Sequence, residues 1–180
     1  FCPKEIGGRF NCSNNELKSL VGIQKVIQGG FDCSINLLDS LKGCPEEING
    51  EFYVYENKLT SLKYFPKSVK SGIILNDNKL TSIKGLPKKV NGNLSLMINE
   101  LKNLEYCPEI IYGIFNCSNN KLTSLKGFPK DIKSHIDISN NYLTELDRDI
   151  QKNVSGSFDC SNNQLISLKG SPEEIEMNFH

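Results

Sequence analysis

Cysteine, histidine and serine are the residues of this chain whose types could carry out chemistry. The 180 residues include seven cysteines and two histidines, and serine recurs after cysteine in the phrase Cys-Ser. A cysteine or serine nucleophile needs a base beside it, but His180 is the last residue and His135 has no apparent nucleophile partner. The sequence also lacks a phosphate-binding loop, a dinucleotide fingerprint and a zinc-protease motif. We therefore predict that the chain is not an enzyme and needs no cofactor.

The cysteines occupy two positions of a repeated pattern in which other repeats have apolar residues. The first position holds Cys12, Cys33, Cys117 and Cys160, and elsewhere Val54, Leu75, Leu96 and Ile138. The second holds Cys2, Cys44 and Cys107, and elsewhere Phe65, Leu86 and Phe128. A cysteine that exchanges with apolar residues behaves as a small buried hydrophobe. We predict free thiols in a reducing compartment, cytoplasmic or host-intracellular, with a virion as the alternative.

Two other roles for the thiols depend on spacing. Cys12 and Cys33 are one repeat apart, and adjacent parallel strands lie about 5 Å apart, which leaves a disulfide open as the alternative. A zinc site made of four cysteines is not expected, because Cys33 and Cys117 are four repeats, or roughly 19 Å, apart.

A period of 21 residues organises the whole chain. An asparagine returns in the phrase C-S-x-N-x-L at intervals of 21 residues, and the last interval is 22. The asparagines are Asn15, Asn36, Asn57, Asn78, Asn99, Asn120, Asn141 and Asn163. Five and three residues before each one lie apolar residues such as Phe52 and Val54, a spacing of two that indicates a short strand. Such strict self-similarity is typical of a solenoid.

The remaining positions of the repeat predict how each coil closes. Leucines such as Leu59 and Leu62 follow the asparagine and turn the chain back over the core. Six repeats then carry a proline, which argues for an extended or 3₁₀ return arm instead of a long helix. The asparagine amide would pair with inward-facing backbone groups of the turn. A catalytic or sugar-binding role for it is the alternative.

The phrases L-x-x-N-x-L and N-x-L-T-S-L-x-G-x-P resemble bacterial and bacteriophage leucine-rich repeats. The proline-bearing arm is similar to that of type III-secreted effectors, although it is one residue longer and has Gly where those proteins often have Leu-Pro. The resemblance implies an α/β solenoid class, mostly β. More closely, it implies a right-handed leucine-rich-repeat solenoid with a parallel concave sheet of about eight short strands and extended or 3₁₀ return arms. Such effectors often carry a ubiquitin-ligase domain, and nothing like one is present here.

We expect a single repeat array over residues 1–180. A half repeat (1–9) precedes full repeats at about 10–30, 31–51, 52–72, 73–93, 94–114, 115–135 and 136–157, and the last repeat is 158–180. Both ends fall in mid-repeat, and Met177–Phe179 could begin a ninth strand. Because open solenoid ends are usually covered, we expect a longer chain, or ends that contact further repeats or other subunits.

Charge narrows the range of partners. The 21 basic residues equal the 21 acidic ones, so no overall field attracts nucleic acid or an anionic membrane. No apolar run is long enough to cross a bilayer. A lysine stripe that includes Lys63, Lys84 and Lys126 is interrupted by Glu105 and Asp147, which favours a solubilising role over phosphate binding.

The outward side chains of the strands are the predicted docking surface. Most of them, including the serines, are small and polar and should form exposed strand surface. Repeats three to five differ and place together Tyr53, Tyr55, Glu56, Ile74, Met97 and Ile98. Clustered exposed aromatic residues are typical of interface hot spots; the competing explanation is that Tyr and Ile simply suit strands. Asp137 and Asp159 should be neighbours, as solvated surface or, alternatively, with bound calcium.

Three functional hypotheses follow. The first is a protein-protein interaction module that binds a protein partner, of unknown identity, on its concave face. The second is a structural subunit of a larger assembly such as a phage particle. The third is the recognition domain of an effector or enzyme whose catalytic part lies outside this chain.

Overall fold

The computed structural model describes residues 6–146 and 150–180, which form a parallel β-solenoid. The first strand of every coil joins one eight-stranded parallel sheet, in the order of the chain. Its strands are β1 (Phe10–Asn11), β3 (Phe31–Asp32), β5 (Phe52–Tyr53), β7 (Ile73–Ile74), β9 (Leu94–Ser95), β11 (Phe115–Asn116), β13 (Ile136–Asp137) and β15 (Phe158–Asp159). Equivalent residues pair between neighbouring coils, as Phe52 does with Ile73. The predicted sheet of eight strands is confirmed.

The return arms are extended, and the described residues contain no helix of any kind. Their strands form three smaller parallel sheets. The first contains β2 (Val26–Ile27), β4 (Glu47–Ile48) and β6 (Ser68–Val69), and the second β8 (Lys89–Val90), β10 (Ile110–Ile111) and β12 (Asp131–Ile132). The third contains β14 (Asn153–Val154) and β16 (Glu174–Ile175). The mostly-β class is therefore confirmed, with extended arms and not 3₁₀ arms.

A glutamine side chain joins the second and third arm sheets. Gln151 accepts the N–H of Ile132 through Oε1 at 2.6 Å, and its Nε2 donates to the carbonyl oxygens of Ile132 at 2.9 Å and Asn153 at 2.7 Å. This coil contains the additional residue of the 22-residue interval. The side-chain amide thus takes the place of a peptide group where β12 and β14 do not pair.

The core is a continuous column of apolar side chains between the two sets of strands. In the eight-stranded sheet, the first residue of each strand from Phe31 to Phe158 is fully buried, as are leucines such as Leu59 and Leu80. Phe10, Phe31 and Phe52 stack in parallel, with ring centroids 5.7 Å apart at each step. Burial of these columns is the main force that holds the coils together, because apolar area is removed from water at every step.

The repeated asparagines form a ladder along the turns. The Nδ2 group of Asn57 lies within hydrogen-bond distance of the carbonyl oxygens of Val54, Tyr55 and, one coil back, Cys33. Its Oδ1 accepts the N–H of Leu38. The same pattern recurs at Asn36, Asn78, Asn99, Asn120, Asn141 and Asn163. The structural role predicted for these asparagines is confirmed.

The last coil ends on the expected ninth strand position. Phe179 forms a parallel bridge with Phe158, and the two rings stack at 5.9 Å. The predicted half repeat at 1–9 falls mostly on residues 1–5, including Cys2, which lie outside the described residues, as does Asp147 of the lysine stripe.

Candidate interaction surface

The sheet brings most of the predicted binding residues together. Tyr53 pairs directly with Ile74, and Ile74 with Ser95, so these residues occupy one row on adjacent strands. Tyr55, Asn76 and Met97 occupy the row two residues further along each coil, where the Oδ1 of Asn76 accepts the N–H of Met97 at 3.1 Å. The tyrosines, Ile74 and Met97 are all half-buried. The side chains of the two tyrosines, Ile74 and Met97 therefore form a patch of partly exposed apolar surface on the sheet.

Tyr53 is held in place by residues on either side of it. Its hydroxyl donates to Oε2 of Glu51 at 2.5 Å, and the guanidinium of Arg9 lies 5.2 Å from its ring centroid. The hydrogen bond to the Glu51 carboxylate, with desolvation second, raises the pKa of Tyr53 to about 12. Arg9 also pairs with Asp32 at 2.8 Å. These contacts hold the ring of Tyr53 in one position.

Arg9 contacts Tyr53 two coils away, because the coil between them has a glycine, Gly30, at the position equivalent to Arg9. Arg9, Gly30 and Glu51 hold equivalent positions in three successive coils. A Cβ on Gly30 would lie 3.8 Å from Cγ of Arg9 and 3.2 Å from the carbonyl oxygen of Glu51. The arginine therefore extends over the glycine, a contact that residue-by-residue inspection of the repeats does not reveal.

Glu56 and Ile98 lie in the turn and not on the sheet. Each precedes a ladder asparagine and has left-handed backbone geometry, with φ of 50° and 52°. Ile98 is 47% exposed. Asparagine, which tolerates this conformation, occupies the position at Asn14, Asn119, Asn140 and Asn162. A β-branched residue at this φ is an outlier, so Ile98 stores strain at the surface.

The expected exposure of the serine position is wrong. Ser34, Ser118 and Ser139 are buried. Each turns back onto the residue two before it: Ser34 donates both its N–H and its hydroxyl to Oδ1 of Asp32, at 3.1 and 2.8 Å. The same pair of bonds joins Ser139 to Asp137. These short side chains are buried because a neighbouring carboxylate or amide satisfies them.

Among the described residues, every buried side-chain nitrogen and oxygen atom has a hydrogen-bond partner. Asp137 and Asp159 are paired in register, as expected, and Oδ2 of Asp137 accepts from Nδ2 of Asn116 at 2.9 Å. His135 accepts the N–H of Ser157 through Nδ1 at 3.0 Å. Among the described residues, no group of three or more His, Cys, Asp or Glu side chains is arranged to hold a metal ion.

Among the described cysteines, Cys33, Cys44, Cys107, Cys117 and Cys160 are free thiols. Cys33, Cys117 and Cys160 are buried, and Cys12, Cys44 and Cys107 are half-buried. Burial raises the pKa of the Cys33 thiol, with smaller contributions from the Cys44 and Cys12 thiols, and burial likewise raises the pKa of Cys117. Protonated thiols are poor nucleophiles and poor metal ligands, which fits their exchange with apolar residues in the repeat.

Alternating charges connect neighbouring arms. Glu46 lies between Lys25 at 3.2 Å and Lys67 at 2.5 Å, and Lys152 pairs with Glu173 at 2.7 Å. The hydrogen bonds from Lys67 and Lys25 lower the pKa of Glu46. These groups are exposed, so each pair adds little stability.

Two exposed tyrosines were not part of the predicted site. Tyr64 and Tyr106 have φ of 69° and 70°, at the position where five other coils have a glycine with positive φ. They are 51% and 57% exposed. The replacement of glycine in the motif T-S-L-x-G-x-P at these two places is a signal that the sequence does contain.

The geometry defines a class of protein, the parallel β-solenoid with an asparagine ladder. The chain matches no protein-family model, no curated protein and no solved structure. In the part of the chain that the structure describes, no helix is long and apolar enough to span a membrane.

Proposed function

We propose that this chain is a leucine-rich-repeat module of bacterial or bacteriophage type that binds a protein partner through the outward residues of coils three to five. The contact residues are Tyr53, Tyr55, Glu56, Ile74, Met97 and Ile98. The observation that carries the proposal is the half-exposed Ile98 with φ 52°. An isoleucine in this conformation lowers stability where asparagine would serve. Ile35 has the same conformation, with φ of 53°, but is half-buried, whereas Ile98 exposes its strained side chain, and such strain persists where function requires the side chain.

The surroundings of Ile98 support a protein partner. Met97 and Ile74 add apolar area that adapts to a binding surface, and Tyr55 adds a hydroxyl. Tyr53 is preorganised by Glu51 and Arg9, which lowers the entropic cost of binding. Hot spots of this composition lie near the centre of interfaces, with polar residues around them. Half-buried polar residues adjoin the patch, with Ser95 in coil five and Asn116 in coil six.

Site-specific photo-crosslinking in an extract of the native host tests the proposal. With p-benzoyl-phenylalanine in place of Tyr55, we expect one discrete adduct, and none with the probe in place of Tyr142. Tyr142 is 51% exposed and lies just beyond a ladder asparagine, so it is a matched control. Ile98→Asn combined with Met97→Ser should abolish the Tyr55 adduct. Equal adducts from both positions, or an adduct that survives the double variant, would contradict the proposed surface.

The buried thiols favour a reducing environment for this function, in the cytoplasm of the source cell or inside a host cell. No specific observation favours a nucleic-acid partner, and several exposed lysines of the arms, such as Lys67, Lys130 and Lys152, are paired with glutamates.

A second candidate function is a structural subunit of a larger assembly, such as a phage particle. The contact surface of such a subunit would be the exposed apolar side chains of the last coil. They are Ile166 at 89%, Leu168 at 54%, Met177 at 62% and Phe179 at 42%. Light scattering separates the candidates: an assembly subunit increases in mass with concentration and becomes monomeric with Ile166→Ser and Leu168→Ser. An interaction module has monomeric mass at all concentrations.

A further inference from the structure

An apolar notch with two lysines lies on the corner between the asparagine ladder and the return arm of coils three and four. It has a volume of about 530 Å³. Its main lining residues are Leu62, Lys63, Tyr64, Phe65, Lys84 and Gly85. None of them belongs to the eight-stranded sheet, so this surface is separate from the one proposed above and does not depend on it.

Gly85 lines the notch beside Tyr64, and Tyr106 lies one coil further on. Tyr64, Gly85 and Tyr106 hold equivalent positions in three successive coils. Since strands of neighbouring coils lie about 4.8 Å apart, the backbones of the tyrosines are roughly 10 Å apart. Gly85 has φ of 120°, and a Cβ there would lie 3.0 Å from the carbonyl oxygen of Leu62. Leu62 is buried and Phe65 half-buried, and together they form an apolar floor.

The fold requires left-handed backbone geometry at this position, but it does not require a tyrosine there. A left-handed L-residue costs about 1–2 kcal/mol relative to its usual conformation, and the other described coils avoid the cost with glycine. Within the described residues, no hydrogen bond of either tyrosine hydroxyl offsets the strain. Strained, exposed aromatic side chains whose hydroxyls make no hydrogen bond to the described residues point to a ligand.

The charge beside the notch is uncompensated. Nζ of Lys63 lies 5.0 Å from the ring centroid of Tyr64, and Nζ of Lys84 lies 5.7 Å from that of Tyr106. Neither ammonium forms an ion pair with a carboxylate of the described chain, in contrast to Lys126, which pairs with Glu105 at 2.5 Å. Two free positive charges therefore flank an apolar floor.

We propose that the notch binds a short acidic peptide segment of a partner protein. One apolar side chain of that segment packs on Leu62 and Phe65 beside Tyr64, and flanking carboxylates pair with Lys63 and Lys84. Single-stranded nucleic acid fits less well, because base stacking needs free ring faces and each tyrosine has a lysine ammonium over one face. Beyond Lys84, the next position in the lysine row is Glu105, which is neutralised by Lys126. The positive surface is therefore short, which suits a short anion better than a phosphodiester chain.

Titration of the isotope-labelled chain with the acetylated and amidated peptide Glu-Asp-Phe-Asp-Glu, followed by NMR, tests the proposal. We expect the amide signals of Lys63, Tyr64, Phe65 and Gly85 to shift. Tyr64→Gly with Tyr106→Gly should weaken binding by about tenfold or more while the melting temperature stays the same or rises, because glycine suits both positions. Lys63→Gln with Lys84→Gln should weaken it similarly, and Tyr142→Ser should have no effect.

Three results would overturn the proposal. The notch amides could stay unshifted by the peptide, or the double glycine variant could bind as tightly as the natural chain. A short oligothymidylate, or the peptide Lys-Lys-Phe-Lys-Lys, could shift the same amides as strongly as the acidic peptide. An oligothymidylate response would assign the notch to nucleic acid.

Discussion

Oδ1 of Asn78 accepts the backbone N–H of Leu59 at 3.0 Å, so a side chain of one coil closes the turn of the coil before it. Both residues are buried, and Nδ2 of Asn78 also lies 3.0 Å from the carbonyl oxygen of Val54. Each coil therefore depends on the next one for its hydrogen bonds as well as for its apolar contacts.

Replacement of Asn78 by alanine should destabilise the array strongly. The variant leaves the buried N–H of Leu59 without its hydrogen-bond partner, which costs about 1–3 kcal/mol. It also removes one of the two hydrogen bonds to the carbonyl of Val54, which keeps the bond from Asn57. We expect the free energy of unfolding, measured with urea, to fall by about 2–4 kcal/mol. Asn91→Ala is the control, since Asn91 is exposed and makes one long bond of 3.4 Å. If the free energy of unfolding fell by less than about 1 kcal/mol, the asparagine ladder would not be a main source of stability.

An exchange between Ile98 and Asn119 should shift stability in opposite directions. Both residues precede a ladder asparagine, with φ of 52° and 55°. Because asparagine tolerates the left-handed region and isoleucine does not, Ile98→Asn should raise the free energy of unfolding by about 1 kcal/mol and Asn119→Ile should lower it by a similar amount. Urea unfolding of the two single variants gives both values. If Ile98→Asn destabilises the chain, Ile98 contributes packing that outweighs its strain.

The hydroxyl of Tyr53 should lose its proton at a higher pH than that of an ordinary tyrosine. Its folded pKa of about 12 lies above the usual value of 10, because the protonated hydroxyl donates a hydrogen bond to the Glu51 carboxylate. A raised folded pKa means that the native state keeps the proton longer. The related stability is complete below pH 10 and is lost as the pH rises from about 10 to about 12.

The Cζ carbon shift of Tyr53 in a ¹³C-tyrosine-labelled sample follows this titration. Glu51→Gln should move its midpoint down toward 10, because the neutral amide no longer favours the protonated phenol. A midpoint that is the same in the variant would show that the carboxylate is not the cause.

The buried thiols should react only after unfolding. Burial raises the pKa of Cys33 and Cys117, so the reactive thiolate is scarce in the folded chain at pH 8 and the sulfur is also covered. With iodoacetamide and peptide mass mapping, we expect both residues to be labelled in urea and not in buffer. Cys117→Val should change stability by less than about 1.5 kcal/mol, because Val54 holds the equivalent position. Rapid labelling of Cys117 in buffer would contradict the assigned burial.

The periodic positions explain why the fold was predictable. Phe52, Leu59 and Asn57 recur in kind every 21 residues, and only a stack of coils places such residues in continuous buried columns. The pairing of Tyr53 with Ile74 followed from the same register. Sequence spacing determines these neighbours because each coil repeats the path of the one before it.

Features outside the common pattern were not predictable from spacing. The burial of Ser34 depends on a bond to Asp32 that is local in sequence but invisible to a hydrophobic pattern. The contact of Arg9 with Tyr53 spans two coils and requires the absence of a side chain at Gly30. The strain at Tyr64 depends on the sign of a backbone dihedral, which a residue type alone does not give.

The reach of each ladder asparagine to the coil before it, as from Asn78 to Leu59, makes length an adjustable property of this molecule. Removal or duplication of one whole 21-residue unit brings an equivalent asparagine into the same place, so the scaffold can shorten or grow without a new interface. A one-residue insertion is different, since it needs a local repair such as the amide of Gln151. We expect such a chain to gain or lose whole repeats during evolution. Residues such as Tyr64, Gly85 and Ile98 would then distinguish individual repeats that are otherwise equivalent.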